Sequence, residues 1–432
     1  MTATWEQFTS ELEKRYNKLV AAAASNYFCT HCGWCAEACH VYLATRDPRS
    51  TPVAMAESVR RIYKRKHDLL SRILPFWTGA KPLNDGNLDK WAEAAFRDCT
   101  LCERCVVNCP MGVENPQLIS AVRAALTSLG KAPETLVQLA DMAITREENA
   151  GFFRELFMEH VDELEKDVQA HLGNPAACIP TENKGARILY VPLSGSHTIV
   201  PAAVFFSTVG ESWTLSMFEA SNFALFLSDF EKAKRIAARI INEARTLGVE
   251  EVVLAECGHA YLTMRWEAPR WFGGPLPFRV RSIVEVLDEY IRDGRLVFDP
   301  VRNGGPVTDH DSCNLGRKGG LFEEPRRVLR AVATDFREMV PNRVQSLCCG
   351  GGGGLITISE WSAKRLLAGR PKADQIARSG AGTVATSCEN CRSQILELNQ
   401  HYSLGVSVMS LGELALNALV TNAGGRNRPA RS

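Results

Sequence analysis

The sequence predicts a multidomain α+β protein, in which an all-helical N-terminal domain is followed by two similar α/β units. Helical patterns and cysteine runs fill the first third of the chain, whereas the rest alternates short Val-rich strands with helices. Within that later part, similar strand–cysteine segments occur twice, which indicates an internal duplication. The 432 residues are sufficient for several domains with their own hydrophobic cores.

Domain boundaries are placed where these patterns change. The expected parts are a helical domain, a helical connector, a first α/β unit, a second α/β unit and a disordered polar tail, at residues 1–132, 133–185, 186–300, 301–420 and 421–432.

The helical domain carries one cysteine spacing twice, C-x-x-C-x-x-C-x-x-x-C. The two runs are Cys29, Cys32, Cys35, Cys39 and Cys99, Cys102, Cys105, Cys109. This spacing is typical of ferredoxins with two 4Fe–4S clusters, in which the fourth cysteine of each run ligates the other cluster. We therefore assign one cubane cluster to Cys29, Cys32, Cys35 and Cys109, and the other to Cys99, Cys102, Cys105 and Cys39. A pair of zinc sites or a disulfide framework is the alternative, but zinc sites usually pair two short C-x-x-C knuckles.

The insert between the two runs, residues 40–98, indicates a helical ferredoxin, and a further helix is expected over residues 5–27. Apolar residues at helical spacing in the insert are Met55, Val59, Ile62, Leu69, Leu70 and Ile73. Basic residues, mostly on the other side, are Arg60, Arg61, Lys64, Arg65 and Lys66. This basic stretch is either a solvated helix face or a docking site for an acidic partner or lipid headgroups.

The connector is expected to pack on another element and to carry no chemistry. One apolar stripe lies among its acidic residues, formed by Phe157, Val161, Leu164 and Val168. Cys178, alone in the following linker, is interpreted as a buried inert thiol. The uncharged stretch 188–210 contains Pro192 and Pro201, so it predicts a strand, a loop and a helix instead of a bilayer-spanning segment.

The two α/β units repeat the same order of strands and loops. RILYVPLSGSH (187–197) resembles PVTDHDSCNLG (306–316), since each runs from a short apolar strand into a small-residue loop. GVEEVVLAECGHA (248–260) matches GAGTVATSCENC (380–391) more closely, with a Val-rich strand followed by a cysteine. A further strand and helix are expected in each unit, at 278–282 with 283–292 and at 405–409 with 411–420. Parallel sheets are predicted, with active-site loops at the carboxyl ends of the strands.

Five cysteines of the second unit form the pattern C-x34-CC-x38-C-x-x-C. They are Cys313, Cys348, Cys349, Cys388 and Cys391. Each element is expected where a strand ends, so that all converge at one edge of the sheet. The glycines at 350–354 permit positive φ and close approach of the backbone, and their amides can stabilise negative charge. The pattern predicts a distorted iron cluster, with one thiol bridging irons or free to react, or else a structural zinc site using four of the five cysteines.

Net charge, cysteine content and the N-terminal sequence limit the partners and the cellular compartment that can be expected. A formal net charge of +1 gives no reason to expect nucleic acid as a partner. Fifteen cysteines in metal-type spacings favour a reducing compartment, and the polar N-terminus shows no signal peptide. We predict a soluble, cytoplasmic protein that sits on the inner face of the cytoplasmic membrane through partner subunits.

These motifs resemble the CCG domain of heterodisulfide reductase subunits and their relatives. A two-cluster ferredoxin followed by two CCG-type units looks like the fused catalytic subunit of membrane heterodisulfide reductase, and like its equivalent in a membrane complex of sulfur metabolism. The resemblance covers about residues 20–420. It implies a non-cubane 4Fe–4S cluster that reduces or forms a disulfide, held by Cys313, Cys348, Cys349, Cys388 and Cys391.

The first unit departs from the duplicated pattern of that family. Cys257 aligns with Cys388, but Ala260 stands where Cys391 has its counterpart, so this unit is expected to hold no cluster. Cys257 is therefore either a mixed-disulfide partner near the second unit's site or a relic of duplication.

Four histidines beside cysteines are further candidates. His259 and His310 are either proton donors to the site, the latter together with Asp311, or residues without a chemical role. His31 and His40 are expected to tune the reduction potential of the cubanes, not to ligate iron.

The resemblance implies a mechanism and partners. Electrons enter from a quinol-oxidising membrane cytochrome or other quinone-reactive subunit, pass the two cubanes and reach a disulfide substrate, which is a small molecule or a carrier protein. The reaction could also run in reverse, and other redox subunits are expected. The glycines at 350–354 lack the G-x-G-x-x-G context, so neither flavin nor NAD is expected in this chain.

Two other functions remain open. One is a pure electron relay, similar to the iron–sulfur subunits of glycolate oxidase or anaerobic glycerol-3-phosphate dehydrogenase, which pass electrons from a flavoprotein to quinone. The other is a scaffold without enzymatic activity, with zinc in the second unit.

Overall fold

The computed structural model describes residues 5–16, 28–78, 88–148, 150–193 and 195–421. Across these ranges, every helix is too short or too polar to span a lipid bilayer. The predicted tail beyond residue 421 and the second half of the predicted helix at 5–27 lie outside the described residues.

The N-terminal part consists of helices and loops over its described residues, without a β-strand among them. Its helices are α1 (Trp5–Tyr16), α2 (Trp34–Ala38), α3 (His40–Thr45), α4 (Pro52–His67), α5 (Leu69–Ile73), α6 (Leu88–Arg97), α7 (Arg104–Val107) and α8 (Asn115–Ser128). Helix α8 lies at the centre, in contact with α1, α4 and α6. Apolar side chains from all four helices form one core, which includes Phe8, Val59, Phe96 and Val122. The predicted helical domain is therefore present around the cysteine loops.

The apolar stripe predicted in the insert is correct only in its first half. Its members on α4 are buried. The helix ends at Asp68, whose extended backbone interrupts it and whose side chain caps α5 by accepting a hydrogen bond from the Leu70 N–H (3.2 Å). The three remaining members, Leu69, Leu70 and Ile73, are exposed on α5. The helical spacing of the six residues therefore does not correspond to one continuous helix, because the chain is interrupted at Asp68.

The predicted connector consists of α9 (Glu134–Glu148) and α10 (Ala150–Leu172). Its stripe residues Val161, Leu164 and Val168 are buried, as predicted. They face α11 (Ser196–Val209), the first helix of the α/β part. Cys178, in contrast, is exposed, so its predicted burial was wrong.

The first α/β unit contains a four-stranded parallel sheet of order β2-β1-β3-β4. Its strands are β1 (Ile188–Val191), β2 (Trp213–Leu215), β3 (Glu251–Leu254) and β4 (Arg279–Ser282). After α11, its helices are α12 (Ala224–Leu227), α13 (Phe230–Leu247), α14 (Gly258–Leu262), α15 (Ala268–Trp271) and α16 (Ile283–Arg292). The inner strands β1 and β3 are fully buried, which suits their run of apolar residues.

The second unit contains another four-stranded parallel sheet, of order β6-β5-β7-β8. Its strands are β5 (Pro306–Asp309), β6 (Asp335–Arg337), β7 (Thr383–Thr386) and β8 (Ser407–Ser410). Its helices are α17 (Glu323–Val332), α18 (Ser362–Ser379), α19 (Glu389–Tyr402) and α20 (Leu411–Ala418). Residues from both sheets share one hydrophobic core, so the two units pack directly against each other.

The two units share the same strand order, and the helix after the last strand begins in the same way in both. The last strand of each sheet ends in a serine that caps the next helix in a reciprocal capping box, Ser282 with Glu285 and Ser410 with Glu413. The sequence signature is S-x-x-E in both cases. These similarities agree with a helical part followed by two α/β units, while origin by duplication and the domain boundaries stay predictions.

One buried arginine joins all three parts of the chain. Arg123 on α8 donates hydrogen bonds to the carbonyl oxygens of Ala95 (3.0 Å), Cys99 (2.7 Å), Phe226 (2.9 Å) and Gly353 (3.0 Å). These carbonyls belong to the helical part, the first unit and the second unit. Burial lowers the pKa of Arg123 to about 10, which leaves the guanidinium charged at neutral pH. The three parts are thus held in one arrangement.

Candidate metal centre

The two N-terminal cysteine runs fold into loops with the same backbone. In both runs the residues on either side of the second cysteine have positive φ. They are His31 (55°) and Gly33 (84°) in the first run, and Leu101 (56°) and Glu103 (64°) in the second. Non-glycine residues adopt this conformation rarely, and often at functional sites. The short helices α2 and α7 follow directly and carry the third cysteine of each run. The repeated spacing therefore corresponds to a repeated loop.

One group of N-terminal thiols surrounds a small pocket. Cys29, Cys32, Cys35 and Cys109 all line it. Burial raises the pKa of the Cys35 thiol, and the neighbouring thiols of Cys29, Cys109 and Cys32 raise it further. This is the set that the sequence analysis assigned to one cubane.

The other N-terminal cysteines form a second, deeper group. Burial raises the pKa of Cys39 to about 12, with added repulsion from Cys102 and Cys99. Burial also raises the pKa of Cys105, and Cys102, Cys99 and Cys39 contribute. Cys39 is thus placed with the second run and Cys109 with the first, which is the crossed arrangement of the predicted ligand sets.

The five C-terminal cysteines are all buried, and the most exposed, Cys313, shows 9% of its surface. Cys388 comes two residues after β7 and Cys313 four residues after β5, at the strand ends that the sequence predicts. Cys348 and Cys349 do not follow a strand end, because a long loop separates them from β6. The loop nevertheless brings the Cys349 Sγ to 3.5 Å from the Cys391 Sγ.

The five thiols form one continuous group. Cys348 contacts Cys313 and Cys349, while Cys391 contacts Cys349 and Cys388. Contact with Cys391 lowers the pKa of Cys388 to about 7, assisted by the N–H groups of Gly258 and Cys391 and by the Ser312 hydroxyl. The pKa of Cys349 is also lowered, first by its cysteine neighbours. Contact with neighbouring cysteines raises the pKa of Cys348 and that of Cys391, so thiolates, the form that binds metal, and protonated thiols occur side by side in this group.

The glycine run lies against both the thiols and the N-terminal domain. Positive φ is found at Gly350 (97°), Gly353 (65°) and Gly354 (87°), as predicted. The Gly350 N–H donates to the Cys348 Sγ (3.4 Å). A Cβ on Gly352 or Gly353 would lie 3.2 Å from the backbone of Thr100. The absence of side chains here lets the C-terminal site approach the second cysteine run.

The C-terminal group and the deeper N-terminal group touch each other. The pKa of Cys102 is lowered, chiefly by contact with Cys348. A ring nitrogen of His40 lies within 4.8 Å of both sulfur atoms, and the Thr100 Oγ1 is 3.4 Å from the Cys348 Sγ. Arg317 fixes this junction by donating a hydrogen bond to the Cys102 carbonyl (2.7 Å). No spacing in the sequence indicates this contact.

His310 and Lys372 are the basic side chains next to the C-terminal thiols. A ring nitrogen of His310 lies within 4.8 Å of the sulfur atoms of Cys349 and Cys391. Burial lowers the pKa of His310. Lys372 is 1% exposed, and burial lowers its pKa to about 8 although Asp311 and the thiols oppose this shift. The sequence analysis missed Lys372, since a lysine within an ordinary helical pattern gives no signal.

Asp311 and His259 have other partners. Asp311 accepts two hydrogen bonds from the buried Arg326 (2.7 and 3.0 Å), which hold its pKa below the usual range against the effect of burial. The His259 Nε2 accepts from the Asn222 N–H (3.1 Å), so its Nδ1 carries the proton and faces the Cys257 Sγ at 3.3 Å. Burial lowers the pKa of His259 to about 4. This bonding favours a structural role for both, and their predicted chemical roles stay predictions.

The donor set fits iron–sulfur groups. All fifteen cysteines lie within the described residues and are free thiols, which does not favour a disulfide framework. Thirteen of them are collected in groups of four, four and five; Cys105 and the five C-terminal cysteines are buried, whereas Cys32 is exposed. Soft anionic sulfur ligands in this number match iron clusters, and a tetrahedral zinc ion would leave one of the five unused.

Comparison with known proteins agrees with this donor set. Residues 25–113 match the 4Fe-4S dicluster domain, and residues 307–396 match the cysteine-rich domain CCG. In these two regions the chain is similar to CCG-domain iron–sulfur proteins. The CCG match covers all five C-terminal cysteines, and the dicluster match covers all eight N-terminal ones.

Its relatives include heterodisulfide reductase-like proteins. The chain is 28% identical to the Hdr-like menaquinol oxidoreductase iron-sulfur subunit 2 of Archaeoglobus fulgidus, over 92% of this chain and 80% of the relative. It is 23% identical to one component of the dihydromethanophenazine:CoB–CoM heterodisulfide reductase of Methanosarcina mazei, over 90% of this chain and 93% of the relative. It is 24% identical to the EtfAB:quinone oxidoreductase of Syntrophomonas wolfei, over 69% of this chain and 43% of the relative.

Proposed function

We propose that this protein is an oxidoreductase subunit that transfers electrons between a membrane quinone-reactive partner and a disulfide at its C-terminal cysteine group. The observation that carries the proposal is the contact between Cys102 and Cys348, which joins the N-terminal and C-terminal thiols. Relatives named for menaquinol oxidation and for heterodisulfide reduction support the two ends of this path.

The proposed ligands follow the three groups of thiols. One cubane would be held by Cys29, Cys32, Cys35 and Cys109, the second by Cys99, Cys102, Cys105 and Cys39, and a non-cubane 4Fe–4S group by Cys313, Cys348, Cys349, Cys388 and Cys391. When bound, such groups accept and release single electrons, and an open iron position can take a substrate sulfur.

The surrounding side chains supply protons and charge. Reducing a disulfide to two thiols consumes two electrons and two protons. A ring nitrogen of His310 lies within 4.8 Å of the Cys349 and Cys391 sulfur atoms, which suits it to hold a proton there. Lys372 and the N–H groups of Gly258 and Gly350 compensate negative charge on sulfur. Burial of the group keeps bulk water from its thiolates.

A second candidate function is an electron relay without disulfide chemistry. The burial of all five C-terminal cysteines favours it, because a substrate sulfur needs access to the group. The similarity to an EtfAB:quinone oxidoreductase over 69% of this chain also favours it.

Iron and acid-labile sulfide content tests the ligand assignment. Anaerobically purified protein should contain about twelve irons per chain if all three groups hold four-iron clusters, and about eight if only the cubanes form. Cys349→Ser should lower the count from the first value to the second. Cys178→Ser, at an exposed cysteine outside all three groups, is the matched control and should leave the count unchanged.

Electron paramagnetic resonance separates the two functions. After mild oxidation by an added quinone in the presence of candidate thiols, the disulfide reaction predicts a new paramagnetic signal that is absent in Cys349→Ser. If wild-type protein with full iron content gives no signal with any thiol, the relay function is favoured instead.

A further inference from the structure

The segment from α5 to Thr78 exposes its apolar side chains and buries a polar one. Leu69, Leu70, Ile73 and Leu74 are exposed, whereas Ser71 is 0% exposed and binds the Asp68 carboxylate (2.6 Å). A surface helix of a soluble protein normally has the opposite arrangement, with apolar residues inward. We call residues 69–78 the apolar tip.

Two aromatic residues stand at the end of the apolar tip. Phe76 is 95% exposed and Trp77 is 86% exposed, so each makes almost no contact within the part of the chain that the structure describes. The backbone around them is satisfied internally, since Leu74 bonds back to Leu70 (2.8 Å) and Trp77 to Leu74 (3.1 Å). An exposed apolar tip whose backbone makes such internal hydrogen bonds suits entry into lipid.

Positive charge is concentrated beside the apolar tip. Residues 57–78 contain six Lys or Arg and two Asp or Glu, a net charge of +4, while the whole chain carries only +1. The residues outside this segment therefore carry a net charge of −3. Lys64 and Arg72 are exposed next to the apolar residues. Basic residues flanking Trp, Phe and Leu are typical of segments that lie in the interface of an anionic bilayer.

We propose that the apolar tip inserts into the surface of an anionic lipid bilayer, with Phe76 and Trp77 at the acyl boundary and the adjacent basic residues at the headgroups. With five residues in α5, the tip is far too short to span the membrane and lies in the interface. This contact is made by the chain itself and does not depend on the chemistry of the C-terminal cysteines.

The inserted tip would also orient the protein. Helix α4 leads from the cysteine loops to the tip, and its Glu57 and Arg60 each contact the His31 ring at 3.0 Å. From Arg60 to His67 the helix rises only about 10 Å. The thiols of Cys29, Cys32, Cys35 and Cys109 are therefore the group held closest to the bilayer.

Vesicle binding by the full-length iron-loaded protein tests this contact. We expect co-sedimentation with vesicles of equal parts phosphatidylglycerol and phosphatidylcholine, and weaker binding to phosphatidylcholine alone. Binding should fall when salt rises above about 0.1 M, because screening weakens the headgroup attraction. If wild-type protein binds neither kind of vesicle, the proposal is overturned, and a protein partner becomes the expected ligand of this surface.

Variants locate the contact within the chain. Phe76→Ser with Trp77→Ser should weaken binding by about tenfold or more, since two large apolar side chains are lost from the interface. Trp266→Ser with Val301→Ser changes exposed apolar residues elsewhere and should bind as wild type. An unchanged affinity of the Phe76/Trp77 variant would also overturn the proposal.

Tryptophan fluorescence distinguishes lipid insertion from electrostatic adhesion. Quenching by brominated phosphatidylcholine should be seen in wild-type protein and be reduced in Trp77→Phe, which keeps the apolar side chain and the binding. Equal quenching of both proteins would contradict insertion at Trp77. Unchanged cluster absorbance verifies that each variant is folded.

Discussion

Lys372 is a buried positive charge in a region that otherwise gathers sulfur and carboxylates. Among the residues that the structure describes, its Nζ has a weak contact with the Met339 Sδ (3.6 Å) and donates a hydrogen bond to Gln375. Burial of an ammonium without a direct carboxylate partner is costly, so the charge must be balanced by the negative groups around it. The thiols of Cys349, Cys348 and Cys391 are among those groups.

Lys372→Met should therefore lower the reduction potential of a cluster held by the C-terminal cysteines. Methionine keeps the volume and removes the charge, so the reduced, more negative state loses stabilisation. We expect a shift on the order of 50 mV, since 59 mV corresponds to about 1.4 kcal/mol for one electron. A redox titration followed by electron paramagnetic resonance measures it. Lys232→Met, which removes a surface ion pair with Asp141, should leave the potential unchanged.

Glu256 predicts a pH dependence of stability. Burial raises its pKa to about 7 from 4.5, although the N–H groups of Gly412 and Leu411 oppose the shift. A carboxyl with a raised pKa in the folded state keeps its proton there while the unfolded chain ionises. Folding stability should therefore fall as pH rises from about 4.5 to 7, by up to about 3 kcal/mol, and then level off.

Glu256→Gln should remove this dependence. Glutamine can still accept the hydrogen bonds from the start of α20 but does not ionise. Urea unfolding at pH 6 and pH 8 measures the effect: the variant should gain stability over wild type at the higher pH. A parallel decline in both proteins would show that another group is responsible.

At the residue scale, functional residues that recur at a fixed spacing could be predicted from the sequence, whereas single residues without such a spacing could not. The thirteen clustered cysteines were identifiable because metal ligands impose spacing. Lys372 and Arg123 act through burial and through partners far along the chain, so their neighbours in sequence contain no sign of them. His310 was identifiable only by its position beside Cys313.

Among the elements, the glycine run at residues 350–354 packs against its neighbours through its backbone, because it has no side chains. Gly354 has φ of 87°, and a Cβ there would lie 2.7 Å from the Leu136 Cδ2. The run packs between the connector helix α9 and the loop of the second cysteine run. A side chain at this position meets both backbone strain and a packed neighbour.

Gly354→Ala should destabilise the protein by roughly 2–4 kcal/mol, because strain and overpacking add. Loss of iron from the C-terminal group is expected with it. Gly382→Ala is the matched control, since no atom lies within 4 Å of its would-be Cβ and its φ is not positive. Thermal unfolding of the two variants should separate them clearly, and equal melting temperatures would refute the packing argument.

The elements of the α/β units were predicted well, and the insert less so. Strands β3 and β7 were predicted from glycine turns and Val-rich runs, and helix α16 has the predicted bounds of 283–292. Helical spacing over residues 55–73 gave the wrong result because Asp68 breaks the helix. Periodicity cannot show which face of the second piece is covered, since only packing decides that.

For the whole molecule, Arg123 provides the sharpest test of how the parts depend on each other. Arg123→Met would leave buried carbonyl groups of three parts without a donor. We expect a loss of several kcal/mol in the free energy of unfolding, because unsatisfied buried groups are costly. Chemical unfolding followed by circular dichroism and by cluster absorbance should show the two signals separating, where wild type loses both together.

The matched control uses another arginine with an exposed partner. Arg337→Met removes contacts with Asp335 and Gly380 at the surface and should change stability by less than about 1 kcal/mol. If Arg123→Met is as stable as this control, the three parts are held together by their apolar contacts alone.

The linkage through Arg123 also bears on how fast charge can cross the protein. Where a redox domain swings between donor and acceptor, turnover slows as the surrounding solution is thickened with glycerol or sucrose. Here the two sulfur-rich regions are fastened to one another through a side chain that water does not reach. Electrons should therefore pass between these regions at the same rate in dilute buffer and in a viscous glycerol or sucrose solution.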